Sequence, residues 1–511
     1  MVKFYYYNTG GIIKMQKYNF HKTAIILILI LILGFITSCG KDEKSDNITA
    51  PTNDVSTVDD TQKPEKEEKI LPDLPDVNYD GYTFTWLAHG LEGGNWVTPN
   101  PRELVSEMEN GDPINDIVYR RNMVISEKYG VEFEMVPTNS EKSMLDKAVK
   151  AGDDLYDAAL MYNNNAPSVM SANLLLDTNQ LPYINFNKPW WDPAIKETSI
   201  LGRNFFLAGD IMILDKESVN VFFFNKKLML DLGMDFPYKY VLDGTWTYAK
   251  FDEYIKNGSM DLNGDGVLKP NDDRFGLSIF NDTLHALFVS GGGLLAKNGP
   301  DGIPQPSFMD EASIELMDKI ADILYNKEYI TNYHTNGAGN IDEMKQSFFD
   351  GRILILWGRL FVLDALRNME DDFGILPLPK QNETQTRYYS DVNSYTGAML
   401  GVPKSVIDTD RASIILEALA AESRYTLFPV YYDITLQRKY TRDEESGAML
   451  DIIFTTTVYD SGAAYNFGGI WGAMSDICGK QDRNFGSFVE KNEPKVQKAI
   501  DKAVDSVEIM D

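Results

Sequence analysis

Strand and helix patterns alternate along the first part of the chain. Between positions 82 and 162, stretches of alternating apolar residues are separated by stretches in which apolar residues recur every three or four positions. The first pattern predicts strands and the second predicts helices. The predicted segments are, in order, Tyr82–Leu87, Ile114–Tyr129, Val131–Val136, Ser143–Ala151 and Tyr156–Tyr162. This order predicts a parallel α/β sheet covered on both faces, in which ligands bind beyond the carboxyl ends of the strands.

Later segments suggest a second domain. Phe205–Asp210 is predicted as a strand, and Asp350–Gly358 as a turn, a buried strand and an aromatic residue at the strand end. Ser218–Lys226 and Tyr395–Pro403 have the pattern of segments that cross between two domains. A length of 511 residues also exceeds one ordinary core, so we expect two domains.

Charge and motifs exclude several function classes. The net charge of −28 should repel nucleic acid, so we expect no DNA or RNA partner. The sequence contains no HExxH, GxSxG, CxxC or P-loop motif, and its four histidines are scattered. We therefore expect a protein that is not an enzyme and needs no cofactor for activity.

The N-terminus has the pattern of an export signal. Lys17 and Lys22 precede the apolar run Thr23–Phe35, which is shorter than a spanning helix needs. A slightly short membrane anchor is the alternative interpretation. Translation starting at Met15 would place the signal's charges directly behind the initiator. Residues 40–77 follow as an acidic, disordered tether.

Tryptophans in predicted loops and strand ends are candidate ligand contacts. Flat rings stack on the apolar faces of sugars, while amides and carboxylates bind hydroxyls. Core packing explains each tryptophan equally well on its own, and it explains one of the adjacent pair Trp190 and Trp191 more readily. The candidates are Trp96, Trp190, Trp191, Trp357 and Trp471.

One loop has the spacing of a calcium site. Asp261, Asn263, Asp265 and Asp272 stand at positions 1, 3, 5 and 12, and Gly266 stands at the sharp turn. The aspartate at position 12 and the strand that follows both depart from an EF-hand. The interpretation is a single structural Ca²⁺ loop, with a metal-free Asx-rich turn as the alternative.

Several motifs, taken together and in order, resemble those of bacterial extracellular solute-binding protein family 1. This family comprises lipoproteins of ABC importers and includes the maltose-binding proteins. The resemblance is carried by the lipobox-like Ile36–Cys39, the hinge-like Val221–Lys226, the run from Thr245–Trp246 to Phe275–Leu277, and Phe348–Gly358 followed by Asp372–Lys380.

The resemblance implies a fold and a domain division. The fold would be the type II periplasmic-binding-protein fold, an α/β architecture with two discontinuous lobes joined by a hinge. A signal peptide would occupy residues 1–39. The first lobe would comprise residues 78–219 and 397–425, and the second would comprise residues 220–396 and 426–511. This chain departs from the family by lengthening the region 423–469.

The resemblance also implies a site and a function. The ligand would contact the first lobe's rim and the second lobe's strand ends, with Trp357 and Asn163 facing each other across the cleft. Cys39 would be lipidated and would anchor a monomer to the outer face of the bacterial membrane. There it would capture a carbohydrate, most simply an oligosaccharide, for ABC importer permeases. A glycan-acting surface enzyme and a non-transport sensor are the alternatives. The expected ligand contacts are Tyr162, Asn163, Asn164, Trp96, Trp357, Tyr395 and Trp471.

Overall fold

Two mixed sheets organise the protein. The computed structural model describes residues 69–89, 101–162, 165–270, 272–333, 341–366, 369–437 and 444–509. The predictions for Cys39, for the signal and most of the tether, and for Trp96, Asn163 and Asn164 lie outside the described residues.

The strands alternate with helices along most of the chain. The strands are β1 Tyr82–His89, β2 Val131–Thr138, β3 Ala158–Tyr162, β4 Asn220–Asn225, β5 Phe275–Ile279, β6 Ala296–Asn298, β7 Pro304–Pro306, β8 Ile330–Asn332, β9 Ile353–Arg359, β10 Phe373–Leu376, β11 Ser390–Asp391, β12 Ala398–Gly401 and β13 Thr457–Val458.

The helices fall before, between and after these strands. They are α1 Pro113–Tyr129, α2 Glu141–Ala151, α3 Ala166–Met170, α4 Leu214–Glu217, α5 Lys226–Asp231, α6 Tyr238–Leu242, α7 Tyr248–Gly258, α8 Thr283–Ser290, α9 Glu311–Leu324, α10 Ile341–Phe349, α11 Leu363–Leu366, α12 Thr409–Tyr425, α13 Leu427–Gln437, α14 Glu444–Thr455, α15 Ser461–Ala464, α16 Ile470–Lys480 and α17 Phe485–Glu508. Single 3₁₀ turns occupy Thr178–Gln180, Leu360–Val362 and Phe467–Gly469, and a longer one occupies Pro193–Thr198.

The first sheet has the parallel core that the sequence predicts. Its strand order is β12-β3-β1-β2, and β1 pairs in parallel with both β2 and β3. The register places Tyr82 opposite Val131 and His89 opposite Thr138. Strand β12 is added antiparallel to β3, with Ala398 opposite Tyr162. The carboxyl ends of β1 and β3 therefore meet at one edge of the sheet.

The second sheet repeats this plan with different strands. Its order is β10-β4-β9-β5-β8, with β5 parallel to both β8 and β9. Strand β4 runs antiparallel to β9, so that its first residue, Asn220, lies opposite Arg359 at the end of β9. The chain therefore reaches this sheet at the edge where β5 and β9 end.

Two segments connect the sheets and pair with each other. Residues 218–220 lead into β4, and residues 392–397 lead into β12. Val219 and Val392 form an antiparallel bridge, and the Asn393 N–H donates to the Ser218 carbonyl over 3.0 Å. We call these two segments the hinge segments.

The predicted strand at Phe205–Asp210 is wrong. Leu207 bridges only to Leu400, and Gly209 bridges only to Trp191. Two backbone groups of the segment pair with the loop before it: the Ala208 carbonyl accepts from the Asp192 N–H over 2.8 Å, and the Asp210 N–H donates to the Trp190 carbonyl over 2.9 Å. A Cβ atom on Gly209 would lie 2.1 Å from that carbonyl oxygen, so the close approach requires glycine.

The lengthened region contributes the helix α13 to the first sheet's side of the molecule. In α13, Leu427 and Tyr431 form a buried cluster with Ile114 and Val118 of α1. Packing with α1 therefore continues past residue 425. None of the described helices is long and apolar enough to cross a membrane.

Candidate ligand-binding site

A cavity of about 270 Å³ lies at the carboxyl ends of β5 and β9. Aromatic rings supply much of its wall, and two charged side chains and a serine supply polar groups. Met344 and Val362 add apolar surface. The aromatic and polar lining residues are Phe280, Trp357, Phe361, Tyr395, Trp471, Asp282, Arg359 and Ser475.

Strand geometry brings Trp357 and Arg359 to the same wall. Side chains two positions apart on a strand point to the same face. The guanidinium carbon of Arg359 lies 5.4 Å from the Trp357 ring centre and 5.7 Å from that of Phe361. The Phe280 and Trp357 ring centres are 5.9 Å apart. Trp357 is only 1% exposed, so it combines a place in the cavity wall with a core position.

Tyr395 and Trp471 form the more open part of the wall. Their ring planes are inclined by 5° and their centres are 5.9 Å apart. Tyr395 belongs to the second hinge segment and is 46% exposed. Trp471 is the second residue of α16 and is half-buried. The sequence placed Trp471 in a loop or at a strand end, and the structure corrects this to a helix N-terminus.

The two charged groups of the cavity are paired with each other and joined to the hinge. Arg359 Nη2 donates to Asp282 Oδ2 over 2.8 Å. Asn393 Nδ2, in the second hinge segment, donates to the same oxygen over 3.1 Å. Asp282 and Arg359 are 7% and 8% exposed, so this network is almost withdrawn from water.

Three hydrogen-bond donors around the cavity have no partner among the described residues. They are Nε1 of Trp357, Nε1 of Trp471 and Nε of Arg359. A buried donor without a partner costs free energy, about 1–3 kcal/mol in typical proteins. A ligand that supplied acceptor oxygens would remove this cost.

The end of the first sheet carries another polar group of side chains. Tyr162 stacks on His89, with ring centres 3.7 Å apart. Burial raises the pKa of Tyr162 to about 12, assisted by the charges of Glu141 and Tyr395. Burial lowers the pKa of His89 to about 4, so its imidazole is neutral at pH 7. Burial also raises the pKa of the Glu141 carboxyl.

The structure brings together three of the predicted ligand contacts, Trp357, Tyr395 and Trp471. Tyr162 is near Tyr395 but does not line the cavity. The pair Trp190 and Trp191 is buried, and both indole N–H groups donate to Glu417, at 3.1 and 2.7 Å. Trp190 therefore has the packing role that the sequence favoured for one of them.

Sequence reasoning missed the polar members of the site. Arg359 stands two positions after Trp357 on one strand face, and Asp282 follows the end of β5. Because side chains two positions apart on a strand share a face, the prediction for Trp357 would also have indicated Arg359 as a residue of the same wall. Nothing in the sequence pairs Asp282 with it, because the two residues are 77 positions apart.

The acidic loop is closed by its own backbone. Asp261 accepts the N–H groups of Gly264 and Gly266, at 2.7 and 2.8 Å. Asp265 pairs with Lys269 Nζ at 2.7 Å. Asp273, not Asp272, reaches into the loop and accepts N–H groups from residues 262 and 269. Within the described residues no three acidic, histidine or cysteine side chains are grouped as metal ligands. Calcium binding through Asp261, Asn263, Asp265 and Asp272 stays a prediction.

A larger cavity, of about 860 Å³, lies away from the carboxyl ends of β1, β3, β5 and β9. Loops, helices and the short strand β13 line it, and two of its lining cations, Lys216 and Arg424, are paired with carboxylates. Lys216 Nζ lies 2.9 Å from Asp215, and Arg424 Nη1 lies 3.2 Å from Asp210. We assign the ligand site to the smaller cavity, because ligands of open α/β sheets bind at strand carboxyl ends.

Solved structures share the fold of this chain. UspC of M. tuberculosis superposes with a TM-score of 0.55 at 13% identity, covering 82% of this chain and 100% of UspC. RafE of Streptococcus pneumoniae superposes with a TM-score of 0.52 at 12% identity, covering 82% of this chain and 98% of RafE. A cyclo/maltodextrin-binding protein complexed with maltotetraose superposes with a TM-score of 0.51 at 13% identity. The match covers 84% of this chain and 98% of that protein.

The fold is that of the type II periplasmic binding proteins. No protein-family model and no curated protein matches the sequence. The type II fold has two discontinuous lobes joined by a hinge, as the sequence predicted. The cavity lies beside that hinge, because Tyr395 belongs to it and Asn393 is hydrogen-bonded to Asp282.

Proposed function

We propose that this chain is an extracytoplasmic solute-binding protein that captures a carbohydrate and delivers it to an ABC importer. The observation that carries the proposal is the cavity at the ends of β5 and β9. It combines stacked aromatic rings with N–H donors that have no partner among the described residues. Aromatic faces match the apolar faces of sugar rings, and the donors match hydroxyl oxygens.

The structural neighbours support the carbohydrate assignment. One of them is a cyclo/maltodextrin-binding protein solved with maltotetraose. That neighbour is a binding protein, which agrees with a protein that binds and releases its ligand without chemical change. A monomer suffices for this role, because the site is built within one chain.

The two sheets support the proposed lobes. Strands β1 to β3 and β12 would form the core of the first lobe, from residues 78–219 and 397–425. Strands β4, β5 and β8 to β10 would form the core of the second, from residues 220–396 and 426–511. The packing of α13 on α1 favours extending the first lobe to residue 437.

The lipid anchor is part of the proposal. Residues 36–39 match a lipobox, and Cys39 would carry the lipid that holds the protein at the outer face of the membrane. Expression of the full chain in a bacterial host tests this directly. The wild-type protein should sediment with membranes and Cys39→Ser should be soluble, whereas equal partitioning would reject the anchor.

A thermal-shift screen of the purified protein against a glycan panel tests the function. Binding of a sugar should raise the Tm, because a ligand that binds only the folded state stabilises it. Chromatography of the same mixtures should recover the sugar unchanged. Turnover of any glycan would show that the protein is an enzyme and would contradict the proposed function.

A further inference from the structure

The charges around the ligand cavity indicate which carbohydrates it accepts. We propose that the Asp282–Arg359 ion pair makes the site selective for uncharged carbohydrates over acidic and amino sugars. Asp282 is then a specificity-determining residue. This inference rests on the proposed function and adds the chemical class of its ligand.

The pair is a fixed, nearly buried feature of the wall. Asp282 Oδ2 lies 2.8 Å from Arg359 Nη2, and both side chains are no more than about one-tenth exposed. The Asn393 amide donates to the same oxygen over 3.1 Å. Arg359 is further held over the Trp357 and Phe361 rings. Neither charge can turn away to solvent when a ligand enters.

No other charged side chain lines the cavity among the described residues. The carboxyl group of Glu141, at the start of α2, is buried and does not line it. Asp282 and Arg359 cancel each other, so the described wall has no net charge. A net charge of −28 on the whole chain adds a field that disfavours anions.

A charged sugar would disturb this balance in either direction. A carboxylate that approached Arg359 would also meet Asp282, and an ammonium that approached Asp282 would meet Arg359. Placing like charges together in a site sheltered from water carries a large free-energy cost. A hydroxyl group avoids this cost, because its oxygen can accept from Arg359 Nε and from the indole N–H groups.

Equilibrium binding to matched sugars tests the proposal. The neutral probes are glucose, galactose, xylose, maltose, cellobiose and maltotetraose. Glucuronate and galacturonate are the acidic counterparts, and glucosamine and galactosamine are the amino counterparts. We expect a neutral probe to bind the wild-type protein at least about tenfold more tightly than its charged counterparts.

Two substitutions shift the selectivity in opposite directions. Asp282→Asn keeps an acceptor oxygen for Arg359 and Asn393 but leaves the arginine charge uncompensated. It should improve the affinity for the uronate relative to the neutral sugar by at least about tenfold. Arg359→Gln leaves the Asp282 carboxylate and should favour the amino sugar instead.

Asp322→Asn is the matched control. Asp322 and Arg483 form an exposed ion pair on the surface, with their charged atoms 2.6 Å apart. The substitution removes one negative charge, as Asp282→Asn does. Its selectivity should equal that of the wild type. Melting curves of all variants show whether each is folded. If a variant does not fold, the comparison of neutral with charged sugars on the wild-type protein still decides the proposal.

The outcomes separate this inference from the function on which it rests. An acidic or amino sugar that binds the wild type as tightly as its neutral counterpart would overturn the selectivity. An Asp282→Asn protein that is folded and has wild-type selectivity would overturn the role of Asp282. Absence of binding to every probe would overturn the proposed function, and the inference with it.

Discussion

Trp471 is the aromatic residue of the site whose role in binding can be tested most cleanly. It is half-buried and stacks with Tyr395, whereas Trp357 is 1% exposed and is also part of the core. Truncation of a fully buried tryptophan typically costs about 3–5 kcal/mol of stability. Loss of binding in a Trp357 variant would therefore be mixed with loss of folding.

Replacing Trp471 by alanine should weaken sugar binding by about tenfold or more and lower the Tm only slightly. The substitution removes one face of the stacked pair and one indole N–H donor. Calorimetric titration measures the affinity. Trp246→Phe is the control, because Trp246 is buried outside the cavity and donates to the Pro377 carbonyl. Unchanged affinity in the Trp471 variant would exclude it from the site.

The sequence could identify the aromatic residues Trp357, Tyr395 and Trp471 of the cavity but not its charged residues, Asp282 and Arg359. Trp357 was predicted from its place at a strand end, and it lines the cavity. Asp282 looks like any other of the many acidic residues until β5 and β9 lie side by side. Such long-range pairing depends on tertiary structure, and local patterns do not record it.

A buried histidine joins three elements on the second sheet's side of the hinge. His285 lies in α8, its Nε2 is 3.0 Å from Asp460, and its Nδ1 is 3.5 Å from Asp391 of β11. Asp391 also accepts from Asn220 at the start of β4, over 2.6 Å. Burial opposes the charged imidazole, but the two carboxylates prevail and raise the pKa of His285 to about 10.

This pKa predicts how stability changes with pH. A histidine with a raised folded-state pKa contributes its full stability below its unfolded pKa of about 6.5. The contribution is lost as the pH rises toward about 10. His285→Gln should therefore be less stable at pH 7, by about 3–5 kcal/mol, the usual cost of breaking a buried ion pair. Between pH 7 and pH 10, the free energy of unfolding measured with urea should fall less for His285→Gln than for the wild type. Parallel curves for the two proteins would contradict a charged His285 imidazole.

Calcium binding by the acidic loop can be tested through its effect on the Tm. Calcium bound there would displace Lys269 from Asp265 and join carboxylates that now accept backbone N–H groups. Chelation by EGTA should then lower the Tm, and added calcium should restore it. Asp265→Ala should abolish this response. A wild-type Tm that EGTA leaves unchanged would reject the calcium interpretation.

Local signals predicted helices better than short strands. Asp112 caps α1 through its side chain, and Gly130 ends it with a φ of 63°. Phe205–Asp210 is apolar like a strand, yet it pairs at only two positions. A strand needs neighbours along its length, and the sequence of one segment does not say which neighbours it will have.

Across the whole chain, the alternating order of strands and helices predicted that β1 pairs in parallel with β2 and β3, and this is confirmed. The crossing segments predicted two domains, which stays a prediction that the two sheets support. The exact limit of the first lobe was harder to place, because α13 belongs to the lengthened region and packs back on α1. A periodic apolar pattern shows that a helix is buried but not which core buries it.

We propose that a carbohydrate binds reversibly at the ends of β5 and β9, beside the hinge. Tryptophan fluorescence tests it most directly, because Trp357 and Trp471 line the cavity. Titrating the full chain with each sugar of the glycan panel should give a saturable spectral change for at least one neutral sugar. The change should be reduced in the Trp471→Ala protein, and the sugar should be recovered intact. A ligand whose titration is identical in the wild type and in the Trp471 variant would place binding elsewhere and contradict the proposed site.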